Sequence, residues 1–147
     1  MKYALYLGSV DIVATDYQGN PQSYTDDEGN TFYMVTGEKR DIYGEVKDFE
    51  ANISMSGSEA EAQEYGLSLS DYSAVLITSR GAYPIVEGTI IWAKSEVEYD
   101  GEEAYYTTDM HTLIEIRSPK KISADFVTVK VSPSLNFDRF ILDAINK

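Results

Sequence analysis

Cysteine is absent from this 147-residue chain, and histidine and tryptophan occur once each. Without cysteine there can be no disulfide and no thiolate metal site, and the redox compartment is left undetermined. His111 is the only imidazole, so a histidine metal cluster or a histidine-paired nucleophile would have to be built on it alone; it reads as a surface or partner-contact residue. Basic residues are scarce: 12 lysines and arginines face 25 aspartates and glutamates, a formal charge of −13. With no concentrated Lys/Arg patch to displace counterions, the surface repels nucleic-acid phosphate. Two readings of that charge stay open: plain solubility, or a surface past which DNA slides without sticking.

Long apolar runs are missing too, since none approaches the roughly 18 to 20 residues of a membrane span. Lys2 followed by Tyr3–Leu7 is too short for a signal peptide, and Gly8, Ser9 and Asp11 offer no cleavage pattern. That segment is expected to be a first strand, in a chain made in the cytoplasm. The glycines show no phosphate-cradling spacing. Asp26-Asp27-Glu28-Gly29-Asn30 lacks the alternating ligands and distal glutamate of a calcium loop. Asp26, Asp27, Glu102 and Glu103 read as solvated loop charges rather than an acid/base pair. No catalytic, cofactor-binding or metal-binding residue is assigned, no cofactor is expected, and the chain is expected not to be an enzyme.

What is present is β-type periodicity broken by strong turns. Lys2–Leu7 and Val10–Thr15 read as short strands joined near Gly8-Ser9, closed by the turn Tyr17-Gln18-Gly19-Asn20-Pro21. Asp26–Asn30 reads as a second turn, leading into a strand over Thr31–Thr36, and Gly37–Asp48 as an exposed connection. Phe49, Ala51 and Ile53 alternate with Glu50, Asn52 and Ser54, the period of a half-buried strand. The period then changes. Ser58 stands three before Glu61 and Ser56 three before Glu59, both capping-box spacings, and Gly66 is a natural stop, so a short helix is expected over about Ser58–Tyr65. Strands follow at Ser73–Ser79 and Ile90–Ala93, with Leu113–Ile116 a strand or edge. Asp100-Gly101 marks a hairpin-like turn. In Phe126–Val131 the three valines are expected on one face and Phe126, Thr128 and Lys130 on the other. Phe137–Ile145 suits either periodicity; the short preceding turn favours a strand.

No internal repeat, low-complexity tract or linker divides the chain. The expectation is a single β-rich domain over 1–147, mainly β, a small barrel or sandwich-like fold with one short helix and long loops. The 12 tyrosines lie mostly in or beside loops, which suits strand packing and a contact surface equally. Trp92, behind two isoleucines, is expected in the core.

Several blocks follow one another in order from Phe49 onward: Ala51-Asn52-Ile53-Ser54, Ser56-Gly57, Glu59-Ala60, Glu64-Tyr65-Gly66, then Tyr72 with Val75-Leu76. Pro84-Ile85 and Glu87 lead to Ile91-Trp92, and Asp125-Phe126 with the alternating valines leads to Ser134-Leu135-Asn136. In this succession residues 49–147 resemble the small head-closure, or head–tail connector, proteins of siphophages. The acidic stretch from Glu96 to His111 is the least comparable part.

The resemblance implies a structural virion protein of the bacteriophage neck, made in the host bacterial cytoplasm. Such proteins form an oligomeric ring of identical subunits between the portal-proximal adaptor and the tail terminator, close the DNA-filled head and dock the tail. Genomic DNA would pass the lumen without sequence-specific binding, and no membrane would be involved. The family carries no known catalytic residues. Asn52, Ser54, Ser56, Gly57, Glu59, Glu64, Tyr65 and Asn136 are the candidate interface, because small and polar residues there permit close approach. An acidic lumen is the companion expectation; a lumen lined by Lys39, Arg40, Lys120 and Lys121 would contradict it. A tail-terminator or tail-completion protein of the same joint, and a carbohydrate-binding β-module with a coplanar aromatic row, are the alternatives.

Overall fold

The computed structural model describes residues 1–55, 74–99 and 104–145. Among these it contains thirteen strands and one short 3-10 turn, Lys121–Ser123. The chain is mainly β with long loops, as the periodicity implied. The helix expected at Ser58–Tyr65 and the turn at Asp100-Gly101 lie outside the described residues.

Two compact units emerge, one from Met1–Tyr6, Gly44–Glu98 and Pro119–Lys147, the other from Leu7–Tyr43 and Tyr99–Ser118. The first is built on a seven-stranded sheet among the described residues. Its strands are β1 (Lys2–Ala4), β6 (Lys47–Asp48), β7 (Asn52–Met55), β8 (Ala74–Ser79), β9 (Ile90–Trp92), β12 (Phe126–Pro133) and β13 (Phe137–Ala144), in the order β6-β1-β9-β12-β13-β8-β7. Its strand pairings among the described residues are antiparallel. Residues 137–144 are therefore a strand, as the short turn before them suggested.

This sheet is buried on both sides where β8 meets β13. Ala74, Leu76, Phe140 and Leu142 join Tyr3, Phe49, Ile85, Ile91 and Phe126 in the main core. Val75 and Ile141, one residue out of phase, form a second cluster with Ile77 and Val129. Alternate residues of a strand point to opposite faces, so two clusters on one strand pair mean two covered faces. Tyr3, Phe49 and Tyr83 meet edge to face, with ring centroids 5.3 to 6.1 Å apart. Trp92 is buried and donates its indole N–H to Ser123 Oγ at 3.0 Å.

One glycine in this unit is sterically required. Gly88 has φ +93°, and a Cβ there would lie 3.0 Å from Tyr6 Cβ and 3.1 Å from its ring. Gly88→Ala therefore meets both a left-handed backbone and a clash that a rigid aromatic cannot relieve. The expected loss is about 1–3 kcal/mol in a urea titration; an unchanged midpoint would contradict it.

The second unit carries a four-stranded sheet, again among the described residues, in the order β11-β10-β2-β5: β2 (Tyr6–Val13), β5 (Val35–Tyr43), β10 (Ala104–Thr107) and β11 (Leu113–Ile116). Val10, Ile42 and Tyr106 are its core, with Ile12, Ile114 and Ile116 packed against them. A separate hairpin pairs β3 (Ser23–Thr25) with β4 (Thr31–Tyr33).

Three boundaries differ from the sequence reading. The first break falls at Leu5, and Gly8-Ser9 run inside β2 with Gly8 at φ +120°. The presumed connection Gly37–Asp48 is largely strand, because β5 continues to Tyr43. On β12 the deeply buried residues are Phe126 and Thr128, while Val131 is exposed, since a bulge between Thr128 and Lys130 resets the alternation.

The two turns of this unit prove to be the same device used twice. In Asp16–Asn20, Asp16 Oδ1 accepts the N–H groups of Gln18 at 2.8 Å and Asn20 at 3.0 Å, and Gly19 sits at φ +84°. In Asp26–Asn30, Asp26 Oδ1 accepts Glu28 N–H and Asn30 N–H, both at 2.9 Å, and Gly29 sits at φ +85°. An Asp-x-x-Gly-Asn spacing thus recurs after ten residues. The aspartate supplies the local acceptor and the glycine the left-handed step. The hydrogen bond from Asn30 N–H is the main reason the Asp26 carboxyl is held below its ordinary pKa.

Candidate functional site

The sheet register brings two of the proposed interface residues to one end of the first unit. Asn52 stands opposite Ile77 on β8, and Ile77 opposite Arg139 on β13, three residues from Asn136. Ser54 lies further along, opposite Val75. Asn52, Ser54 and Asn136 are all exposed. Ser56, Gly57, Glu59, Glu64 and Tyr65 lie outside the described residues.

Asn136 belongs to the turn between β12 and β13, and that turn is held from several directions. Ser134 donates its N–H to Phe137 O at 2.7 Å and its hydroxyl to the same oxygen at 3.0 Å. Arg80 reaches across from the end of β8, donating Nη1–H to Ser134 O at 3.1 Å and its own N–H to Asn136 O at 3.2 Å. Gly81 N–H donates to Asp138 Oδ2 at 2.8 Å. The result presents Leu135, 83% exposed, on a braced tip, with Phe137 and Val131 also partly exposed nearby in sequence. Leu135 is thereby held at a defined place on the surface, where a complementary pocket could take it without first ordering the turn. No family model, curated protein or solved structure matches this chain.

Two clefts lined by described residues of the same unit offer little spare chemistry. One, of about 500 Å³, is lined by Ser95, Glu96, Glu98, Ile122 and Ser123. Its Ser123 hydroxyl donates to Lys120 O at 2.7 Å and accepts from Trp92 Nε1–H and from Glu98 N–H at 3.2 Å, so the oxygen is fully engaged in bracing the loop. A second, of about 390 Å³, is lined by Met1, Ile53, Ala93, Lys94, Asp125 and Phe126. There Asp125 Oδ2 accepts three successive backbone N–H groups, from Ala93 at 2.8 Å, Lys94 at 2.9 Å and Ser95 at 3.0 Å, while Ser95 Oγ–H donates to Oδ1 at 2.6 Å. Partial burial pushes this carboxyl's pKa up, but those donors outweigh it and hold the group well below the ordinary carboxylate range. Asp125 is an anchor for the chain leaving β9. Among the described residues no group of three His, Cys, Asp or Glu side chains is placed to hold a metal ion.

His111 is exposed and belongs to the second unit, 4.5 Å from the Phe32 ring. The sequence reading did not name Arg80, and it named Asp125 only within the family likeness, with no role. Their partners are 54 and about 30 residues away in the chain, so no local spacing announces them. The sequence reading placed turns at Tyr17–Pro21 and Asp26–Asn30 but not their shared Asp-x-x-Gly-Asn spacing.

Proposed function

We propose that the chain is a structural protein of a tailed-phage neck, a ring subunit between the portal-proximal adaptor and the tail terminator that acts by contact rather than by catalysis. The observation that carries this reading is the braced, exposed Leu135, which lies in one of the blocks that resemble head-closure proteins. The described residues of those blocks also fall together. They contribute to β7, β8, β9 and β12 and to the turn before β13, all parts of one sheet in the first unit. The second unit is drawn from Leu7–Tyr43, which precedes the likeness, and from Tyr99–Ser118, which takes in most of the acidic stretch; Met1–Tyr6 and residues 44–48, also outside the likeness, belong to the first unit. Assembly in the virion, with DNA passing an acidic lumen, follows from the same reading. A carbohydrate module is the weaker account, because the exposed Tyr24 ring stacks on Phe32 at 21° instead of extending a flat row.

Leu135→Asp tests it. A surface substitution of this kind is expected to leave the folded chain within about 0.5 kcal/mol of the parent. If the leucine is a contact anchor, its loss weakens the joint by about 2–4 kcal/mol, some thirty- to a thousand-fold. Electron microscopy of particles carrying the variant should then show DNA-filled heads without tails. Normal tailed particles, or the absence of this chain from purified virions, would refute the proposal.

A further inference from the structure

The second unit carries most of the chain's charge. Twelve acidic side chains face three basic ones there, a net −9, whereas the first unit has thirteen against nine, a net −4; together these make the −13 of the whole. Two of the three cations have aromatic partners in the same unit: Arg40 donates to Tyr106 Oη at 3.3 Å, and the Arg117 guanidinium lies 5.0 Å from the Tyr99 ring centroid.

Against this field stands an aromatic ladder. Tyr24 and Phe32 are a cross-strand pair on the β3–β4 hairpin, stacked at 5.4 Å, and the His111 ring lies 4.5 Å from that of Phe32, tilted by 54°. Tyr24 is 52% exposed, and all of β3 faces solvent. The rings are held in place. Tyr33 donates its N–H to Met110 O at 3.0 Å, which ties the loop before β11 to β4. Met110 has φ +68°, and Asp109 Oδ1 accepts His111 N–H at 3.1 Å. Left-handed backbone at a non-glycine residue is strain that a fold tolerates where the surroundings fix it. The braced turn begins two residues after Tyr24, and its exposed carboxylates Asp27 and Glu28 stand three and four residues on.

We propose that this hairpin face docks a basic segment of a partner protein, an arginine or lysine side chain lying on the Tyr24–Phe32–His111 ladder with its charge met by Asp27, Glu28 and Asp109. Aromatic faces attract guanidinium and ammonium groups, and carboxylates beyond the ring supply the counter-charge. A surface already ordered by its turn and loop loses little entropy on binding. The net −9 steers a cationic partner and repels nucleic acid. This inference does not depend on the neck reading.

The test uses the full chain and a short peptide alternating arginine and glycine, followed by NMR titration. Shifts are expected at Tyr24, Phe32 and His111, with affinity falling as salt rises. Asp27→Lys with Glu28→Lys should weaken binding about tenfold, and Tyr24→Ser about fivefold, with spectra otherwise unchanged. Glu45→Lys with Glu87→Lys, an equal charge change at exposed positions of the first unit, should stay within about twofold of the parent. Equal loss in both charge-reversed pairs would reduce the effect to bulk charge and overturn the proposal. So would shifts confined to the first unit, no binding, or tighter binding of an oligothymidine than of the peptide.

Discussion

Asp125→Ala is expected to lower the unfolding free energy by about 3 kcal/mol at neutral pH, with much of that difference vanishing in acid. The first figure follows from the hydrogen bonds. A charged acceptor contributes about 1.5–3 kcal/mol per bond at most, and several share one carboxylate here, partly open to water, so their sum is well below simple addition. The pH dependence follows from linkage. The folded carboxyl is held below its ordinary value, so the unfolded chain takes up a proton before the folded one does. The stabilisation is therefore complete above about pH 5 and drains away as pH falls through and below the normal aspartate range. Urea midpoints for parent and variant should be well separated at pH 7, start to draw together below about pH 5, and still differ at pH 3, because the folded carboxyl stays ionised there. Parallel midpoints across that range would mean that Asp125 contributes shape and not charge. Asp125→Asn separates the two, since an amide keeps the shape and one acceptor but has no charge to titrate.

The positions the sequence disclosed and those it concealed differ for physical reasons. Ile90-Ile91-Trp92 was legible because a strand covered on both faces needs an unbroken apolar run, and all three residues are indeed buried. The turns at Asp16–Asn20 and Asp26–Asn30 were legible because their chemistry is local. β5 was hidden. Gly37, Glu38 and Lys39 are exposed, and a strand whose residues face water keeps no hydrophobic alternation; its pairing with β2 makes it a strand. On β12 the alternation put the three valines on one face without saying which face was covered; Phe126 and Thr128 are the buried residues, and the Thr128 hydroxyl finds no hydrogen-bond partner among the described residues. A polar residue at a core position, shifted by a bulge, defeats any reading based on hydrophobicity alone. Of the candidate contact surface, Asn52 and Asn136 could be named from sequence, but their placement at one end of a sheet depends on strand order, which periodicity does not encode.

That two-faced burial sets the other large effect. Phe140→Ala and Ile141→Ala, adjacent on β13, are expected to cost about 4 and about 3 kcal/mol respectively. Phe140 is 1% exposed and sits within the main core, so truncating it leaves a cavity bounded by Leu76, Phe126 and the other members of that cluster. Ile141 is 0% exposed, and among the described residues its cluster holds Val75 as the one other buried member, with Ile77 and Val129 at the margin. A sheet with one wet face would lose under 1 kcal/mol at the second position, because the side chain would have been in water before and after. Melting temperatures should fall by about 10 °C in both variants, against a degree or two for Val131→Ala, whose side chain is already partly exposed. Because neighbouring side chains on a strand face opposite ways and share few contacts, the double variant should lose nearly the sum. A mild effect at Ile141 would mean that the second face is open in solution, and the account of β13 as a strand buried on both sides would have to be abandoned.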